Sequence, residues 1–379
     1  LDAGAVVDAW LPRVLERLEQ WPVRLRTPSG VTADWMERVM TPGTQPTRAQ
    51  SKFAQWSSER RILSPHPFER LVRSVCVQDV SVWSGLSELR PDLVLGLKPP
   101  APGTHDEETW IASIAEDGAM AQTASLDLSG LALTDATLRA LANTPRLDRL
   151  RALDLSYNAF TTDGLGLLLE SPHIEGLEEF RLARNALDTY APELVAEAPG
   201  LKSLRVLDLS HNPLGEGSHD LARAVLLKHL RVLLLRSVGL DDEGARWLAR
   251  APHFKQLRVV DLSGNRIAVE GAKWLARSKA LITVQELRLG HNELGDDGAA
   301  QIAEASHLFG IRTLDLRCNK IGDAGAAALA EAMELEHLEV LELAGNPITE
   351  HGVEALLSAK YLSDSVKAHV RRTFHPRTK

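Results

Sequence analysis

L-R-A-L-D-L-S-Y-N-A-F, residues Leu150 to Phe160, is the stretch on which the reading of this chain turns. It returns as L-R-V-L-D-L-S-H-N-P-L (Leu204 to Leu214), L-R-V-V-D-L-S-G-N-R-I (Leu257 to Ile267) and I-R-T-L-D-L-R-C-N-K-I (Ile311 to Ile321). The position of its Asn falls at Leu131, Asn158, Asn185, Asn212, Val238, Asn265, Asn292, Asn319 and Asn346, in steps of 27 residues with one of 26. A fixed period of this length implies an α/β solenoid, in which each unit buries its apolar side only by stacking on its neighbours. Each unit reads as a short x-L-x-L strand, a turn holding the Asn, and a helix.

The columns of the repeat carry different physics. The leucines supply the core, at about 1.5–3 kcal/mol for each fully buried side chain. The Asn sits in a turn whose backbone donors and acceptors face inward, and an amide satisfies both kinds. Seven of the eight asparagines in the chain stand at this position. Phrases such as G-D-D-G-A-A (Gly295 to Ala300) and G-D-A-G-A-A (Gly322 to Ala327) open the later helices, with the Asp near each helix start expected to supply an acceptor for free backbone N–H groups. Gly164, Gly244, Gly271, Gly298, Gly325 and Gly352 recur six residues after the ladder position, where the expectation is a close approach of helix and strand layers.

Composition bounds the function. With 44% hydrophobic residues, 25% charged residues and a net charge of -8, the chain has no overall basic excess, which argues against a dedicated nucleic-acid binder. Cys76 and Cys318 lie in different segments, so a disulfide framework is not expected. No apolar run approaches the roughly 18 residues of a membrane span. The chain begins at Leu1 rather than Met, which leaves room for a leader or a further domain, and the cytoplasm is the expected compartment. H-E-x-x-H, paired C-x-x-C, G-x-G-x-x-G and phosphate-loop motifs do not occur, and the 13 histidines lack ligand spacing, so neither metal nor cofactor is expected.

Outside the array, residues 1–75 read as a helical N-terminal region. Val7, Trp10, Leu11, Val14, Leu18 and Trp21 form one apolar stripe, and Trp35 and Trp56 belong to later short helices. Residues 76–123 read as an irregular cap, with strands near Cys76 and Leu95 and an exposed loop after Pro99. Residues 124–360 hold nine repeats, and residues 361–379 form a C-terminal cap with a basic tail.

The array resembles the leucine-rich repeat family, and within it the ribonuclease-inhibitor-like group. L-x-L-x-x-N-x-L followed by G-D-x-G-A and an alanine-rich helix carries the resemblance over roughly residues 124–360. Ser171-Pro172-His173, Ala251-Pro252-His253 and the stretch Val370 to Phe374 are similar to bacterial members. The resemblance implies a right-handed horseshoe with parallel strands on its concave face and helices on its convex face. It also implies protein–protein recognition. Leu131 and Val238 depart from the Asn pattern, Leu131 as a capping unit and Val238 in mid-array.

Period-two alternation sends the residues between the leucines to the open side of the sheet. Arg181, Asp208, Leu234, Asp261, Arg288 and Asp315 stand inside successive L-x-L units. Arg236 and Arg317 lie two positions further on, and Tyr157, Arg184, His211 and His291 lie in the next column. Leu234 and Arg236 replace the Asp and Ser of neighbouring units and mark the middle of the groove. Trp247 and Trp274 occupy equivalent helix positions and are expected to stack on each other. The expected function is a non-enzymatic scaffold that binds a protein or peptide on this face, without a small-molecule substrate. Regulation of a small GTPase, which the family resemblance implies, and targeting of an activity carried by the N-terminal helices are the alternatives.

Overall fold

A computed structural model describes residues 123–144, 147 and 149–374, together with two short strands, β1 (Cys76–Val77) and β2 (Leu95–Leu97). The helices and tryptophans expected in residues 1–75, the loop after Pro99 and the last five residues lie outside the described residues. The chain divides into two compact units, the smaller of residues 1–128 and 143–153, the larger of residues 129–142 and 154–379.

In the smaller unit β1 pairs in parallel with β2, and β2 with β3 (Thr123–Asp127), where the register shifts between Leu95 and Gly96. Leu126, Leu128, Leu147, Leu150 and Leu153 are buried in it. β4 (Ala152–Asp154) carries the chain from one unit into the other.

The larger unit is an α/β solenoid. Its strands β5 (Glu179–Arg181), β6 (Val206–Asp208), β7 (Val232–Leu234), β8 (Val259–Asp261), β9 (Glu286–Arg288), β10 (Thr313–Asp315) and β11 (Val340–Glu342) pair in parallel in chain order. The central residue of each is buried: Phe180, Leu207, Leu233, Val260, Leu287, Leu314 and Leu341. The helices are α1 (Asp135–Ala142), α2 (Thr162–Leu169), α3 (Ala191–Glu197), α4 (Asp242–Arg250), α5 (Val269–Ala276), α6 (Gly295–Ala303), α7 (Asp323–Glu331), α8 (Glu350–Ser358) and α9 (Asp364–Phe374). The repeat that takes the 26-residue step carries a 3-10 helix, Gly215–Arg223, in place of an α-helix.

The asparagine column forms a ladder that is broken at Val238. Asn265 donates through Nδ2 to Leu235 O (2.8 Å) in the preceding repeat and to Leu262 O (2.9 Å) in its own. Its Oδ1 accepts from Val238, Gly239 and Leu240 N, each at 3.1 Å. Asn185, Asn292 and Asn346 repeat the donor pattern one unit apart. Where Val238 interrupts it, Leu214 N turns to Asn212 O (2.9 Å) and Gly215 N to Val238 O (2.9 Å). The backbone satisfies its donors there without an amide, and the 3-10 helix begins at that point.

The aspartates at the helix starts act across repeats. Asp242 in α4 accepts from Ala268 N (2.7 Å) and Gly271 N (2.9 Å), which open α5. Asp296 does the same for Gly322 and Gly325 N, and Asp323 for Thr349 and Gly352 N. The acceptors expected at the helix starts therefore serve the helix of the following repeat. Parallel neighbouring helices bring the first-turn carboxylate of one beside the free N–H groups of the next. At Gly164, Gly271, Gly325 and Gly352 the recurring glycine makes room for that carboxylate, and at Gly244 and Gly298 for a leucine side chain. A Cβ on Gly271 would lie 2.5 Å from Asp242 Oδ1 and 2.7 Å from Ile267 Cγ2.

Asn265→Ala is expected to cost about 3 kcal/mol, because it strands buried donors and acceptors of two repeats. Urea denaturation checks this, and a midpoint equal to the wild type contradicts the assignment.

Candidate functional site

The outward residues of β4 to β8 and of the turns after them surround a shallow recess of about 360 Å³. Its floor is the column closing the strands: Asp154, Arg181, Asp208, Leu234 and Asp261. Asp154, Asp208 and Asp261 each accept from the backbone N–H two residues on, at 2.9 Å, in Ser156, Ser210 and Ser263. These carboxylates therefore hold the turn as well as lining the floor. Asp261 is only 6% exposed. Leu234 puts an apolar side chain between Asp208 and Asp261.

The rim is the column before the ladder Asn, and every residue in it has a left-handed backbone. Gly130, Gly264 and Gly345 occupy it at φ 71–74° without cost. Tyr157 (φ 60°), Arg184 (φ 57°) and His211 (φ 58°) occupy it in three successive repeats. For an L side chain this region costs roughly 1–2 kcal/mol, with His among the better tolerated residues. The conformation is enforced from the next repeat: Tyr157 N donates to Ala183 O (2.7 Å), Arg184 N to Ser210 O (2.9 Å) and His211 N to Arg236 O (2.6 Å).

The rim side chains point outward. Tyr157 is 61% exposed, and the Arg184 guanidinium lies over its ring, 5.3 Å from the centroid. Among the described residues neither Arg184 nor Arg236 has a carboxylate partner within ion-pair distance, and both are exposed. The sequence argument against nucleic acid rests on net charge and does not extend to this face. Burial, followed by the nearby Arg184 and Arg236 charges, holds the His211 imidazole below its ordinary value, while Asp208 and Asp261 pull the other way.

The remaining expected site residues lie apart from the recess or are already engaged. Arg181 lines it but pairs with Glu179 (3.0 Å). Arg288 pairs with Glu286 (2.5 Å) and more loosely with Asp261 (3.4 Å). Asp315 is 4% exposed and takes two hydrogen bonds from the Arg317 side chain, so the two neutralise each other locally. His291 stands on the same left-handed column but outside the recess. Among the described residues no three His, Cys, Asp or Glu side chains come close enough to hold a metal ion. No helix among them is long and apolar enough to cross a membrane.

Family models described as Leucine Rich repeat match residues 150–169, 203–223, 256–276, 280–303, 311–330 and 334–357. The chain carries leucine-rich repeats. Solved structures similar to it include an internalin from Listeria monocytogenes, at 15% identity and TM-score 0.45, over 88% of this chain and 95% of that one. The yeast Rad7 and Elc1 complex matches at 16% identity and TM-score 0.49, over 95% and 96%. A TLR13–ssRNA13 complex matches at 19% identity and TM-score 0.45, over 74% of this chain and 40% of that chain's length. Among curated proteins none matches.

The left-handed column is the feature of this leucine-rich repeat face that sequence reasoning passed over. Its signal was available, because three repeats place glycine where others place Tyr157, Arg184 and His211.

Since the folded value of His211 lies below the unfolded one, the group lowers stability as pH falls through the unfolded imidazole range, near 6.5, and has no effect well above it. Arg236→Ala is expected to raise the NMR titration midpoint of His211. An unmoved midpoint contradicts the placement of Arg236 beside it.

Proposed function

We propose that this leucine-rich repeat protein is a non-enzymatic binding scaffold of the ribonuclease-inhibitor-like group, taking an extended protein or peptide segment along its strand face. The observation that carries the reading is the run of left-handed, non-glycine side chains at Tyr157, Arg184 and His211 beside the break at Leu234 and Arg236. Strained backbone kept in place by its surroundings gathers where function requires the side chain. A row of side chains on a rigid parallel sheet suits extended recognition.

The chemistry of the recess specifies the segment. Arg184 and Arg236 offer guanidinium forks to a carboxylate, and charge-assisted bonds of this kind are the strong ones. Leu234 and the Tyr157 ring offer apolar contact beside them. An acidic residue next to an apolar one fits this arrangement. The paired Arg181, Arg288 and Arg317 contribute less, because each would have to give up a carboxylate partner first.

Peptides selected from a displayed random library on the wild-type protein are expected to carry such acidic–apolar pairs. Arg184→Glu and Arg236→Glu should each weaken them by more than about tenfold in fluorescence anisotropy, without lowering the melting temperature. Peptides of no common chemistry, or affinities that ignore both reversals, sink the reading.

A further inference from the structure

On the helical side of the same unit, a second hollow of about 390 Å³ opens where α4 and α5 end. Arg250, Lys255, Arg277 and Lys279 line it together with Trp274, over a small-residue floor that includes Ala249 and Ala280. No carboxylate lines it. All four cations are exposed, and among the described residues none of them is within ion-pair distance of an acid. Other cations of the helical layer and strand edges do have acidic partners: Arg246 pairs with Glu243, Lys273 with Glu270, Arg312 with Glu339 and Lys320 with Glu293. Four like charges around one hollow repel one another, and the arrangement stands out further in a chain whose net charge is -8.

Two ordinary explanations fall short. Arginine at a helix C-terminus complements the helix dipole, which would account for Arg250 and Arg277. Yet Glu170, Glu197, Glu304 and Glu331 end or cap α2, α3, α6 and α7, where they run against the dipole. The fold does not require a cation there, and Arg stands at the helix end only in the run Arg223, Arg250 and Arg277 among these equivalent positions. Nor do the cations serve only to cover the tryptophan. The Arg246 and Arg250 guanidiniums lie over the Trp274 ring, 5.4 and 5.0 Å from its centroid, so the two rings at Trp247 and Trp274 do not stack on each other as expected. Lys255, Arg277 and Lys279 have no such contact.

We propose that this hollow binds a ligand carrying two or more adjacent phosphate groups. Arg250 and Arg277 offer bidentate forks, Lys255 and Lys279 offer point charges, and the Arg250 fork is steadied against the Trp274 ring. A compact polyphosphate matches the dimensions of the site, at the lower end of the usual range for small-molecule pockets. The same chemistry is found in a soluble phosphorylated metabolite and in the headgroup of a multiply phosphorylated lipid.

The test uses the full chain, with inorganic pyrophosphate as probe and sulfate as the single-anion comparison at matched ionic strength. Titration calorimetry is expected to show pyrophosphate binding at least about tenfold more tightly than sulfate. The double variant R250E/R277E installs the residue that equivalent positions carry at Glu304 and Glu331, so it is expected to fold, and it should abolish the difference. Arg236→Glu, on the strand face, should leave it intact, which separates this site from the recess. Cosedimentation of the wild type, but not the double variant, with vesicles containing phosphatidylinositol 4,5-bisphosphate assigns the phosphates to a lipid headgroup. Pyrophosphate binding without cosedimentation assigns them to a soluble ligand. Pyrophosphate no tighter than sulfate, or unaffected by R250E/R277E, overturns the proposal.

Discussion

Every strand of the array ends in a turn that directs backbone N–H and C=O groups toward the interior, and one side-chain amide per repeat answers most of them. Because Asn265 bonds Leu235 O in the preceding unit and Leu262 O in its own, the amide is also a fastener between units. A neutral side chain that both donates and accepts is needed, and among small residues only Asn supplies it at this reach. Val238 shows the alternative. The backbone closes on itself at Leu214 and Gly215, and the following helix tightens to a 3-10 form.

The same stacking governs the helical layer. Asp242, Asp296 and Asp323 each hold the start of the following helix, and the hydroxyl and N–H groups of Thr349 keep the Asp323 carboxyl below its usual range. Caps shared between neighbours make each unit depend on the one before it. Solenoid stability is a sum of units and interfaces, and here the interfaces are chemically explicit.

How much of this could be read in the sequence depends on whether the partner lies inside one repeat. Leucines and asparagines recur in register, so core and ladder were legible at once. The Asp acceptor was legible but the helix it serves was not, because its bonds span 26 and 29 residues and a capping pattern names an acceptor without naming its helix. Arg181 and Arg288 were legible as groove-facing cations, but their partners were not. In each case a Glu two residues earlier on the same strand face, Glu179 or Glu286, engages it. The break at Leu234 and Arg236 was visible as a change of residue type and falls within the recess. The left-handed rim was signalled by the glycines of its column but passed over, and the basic hollow required knowing that helix ends of adjacent repeats meet there.

These columns divide the labour: leucine and asparagine hold the fold, while the proposed role of the non-glycine rim side chains, held against their backbone preference, is contact with a partner. The triple variant Tyr157→Gly, Arg184→Gly, His211→Gly tests this most directly, by urea denaturation and peptide affinity measured together. The account predicts a folding free energy unchanged or about 1 kcal/mol higher, because relief of strain offsets the flexibility of glycine, with peptide binding lost. A fold weakened by more than about 2 kcal/mol with peptide affinity intact would place these side chains in the scaffold and contradict it.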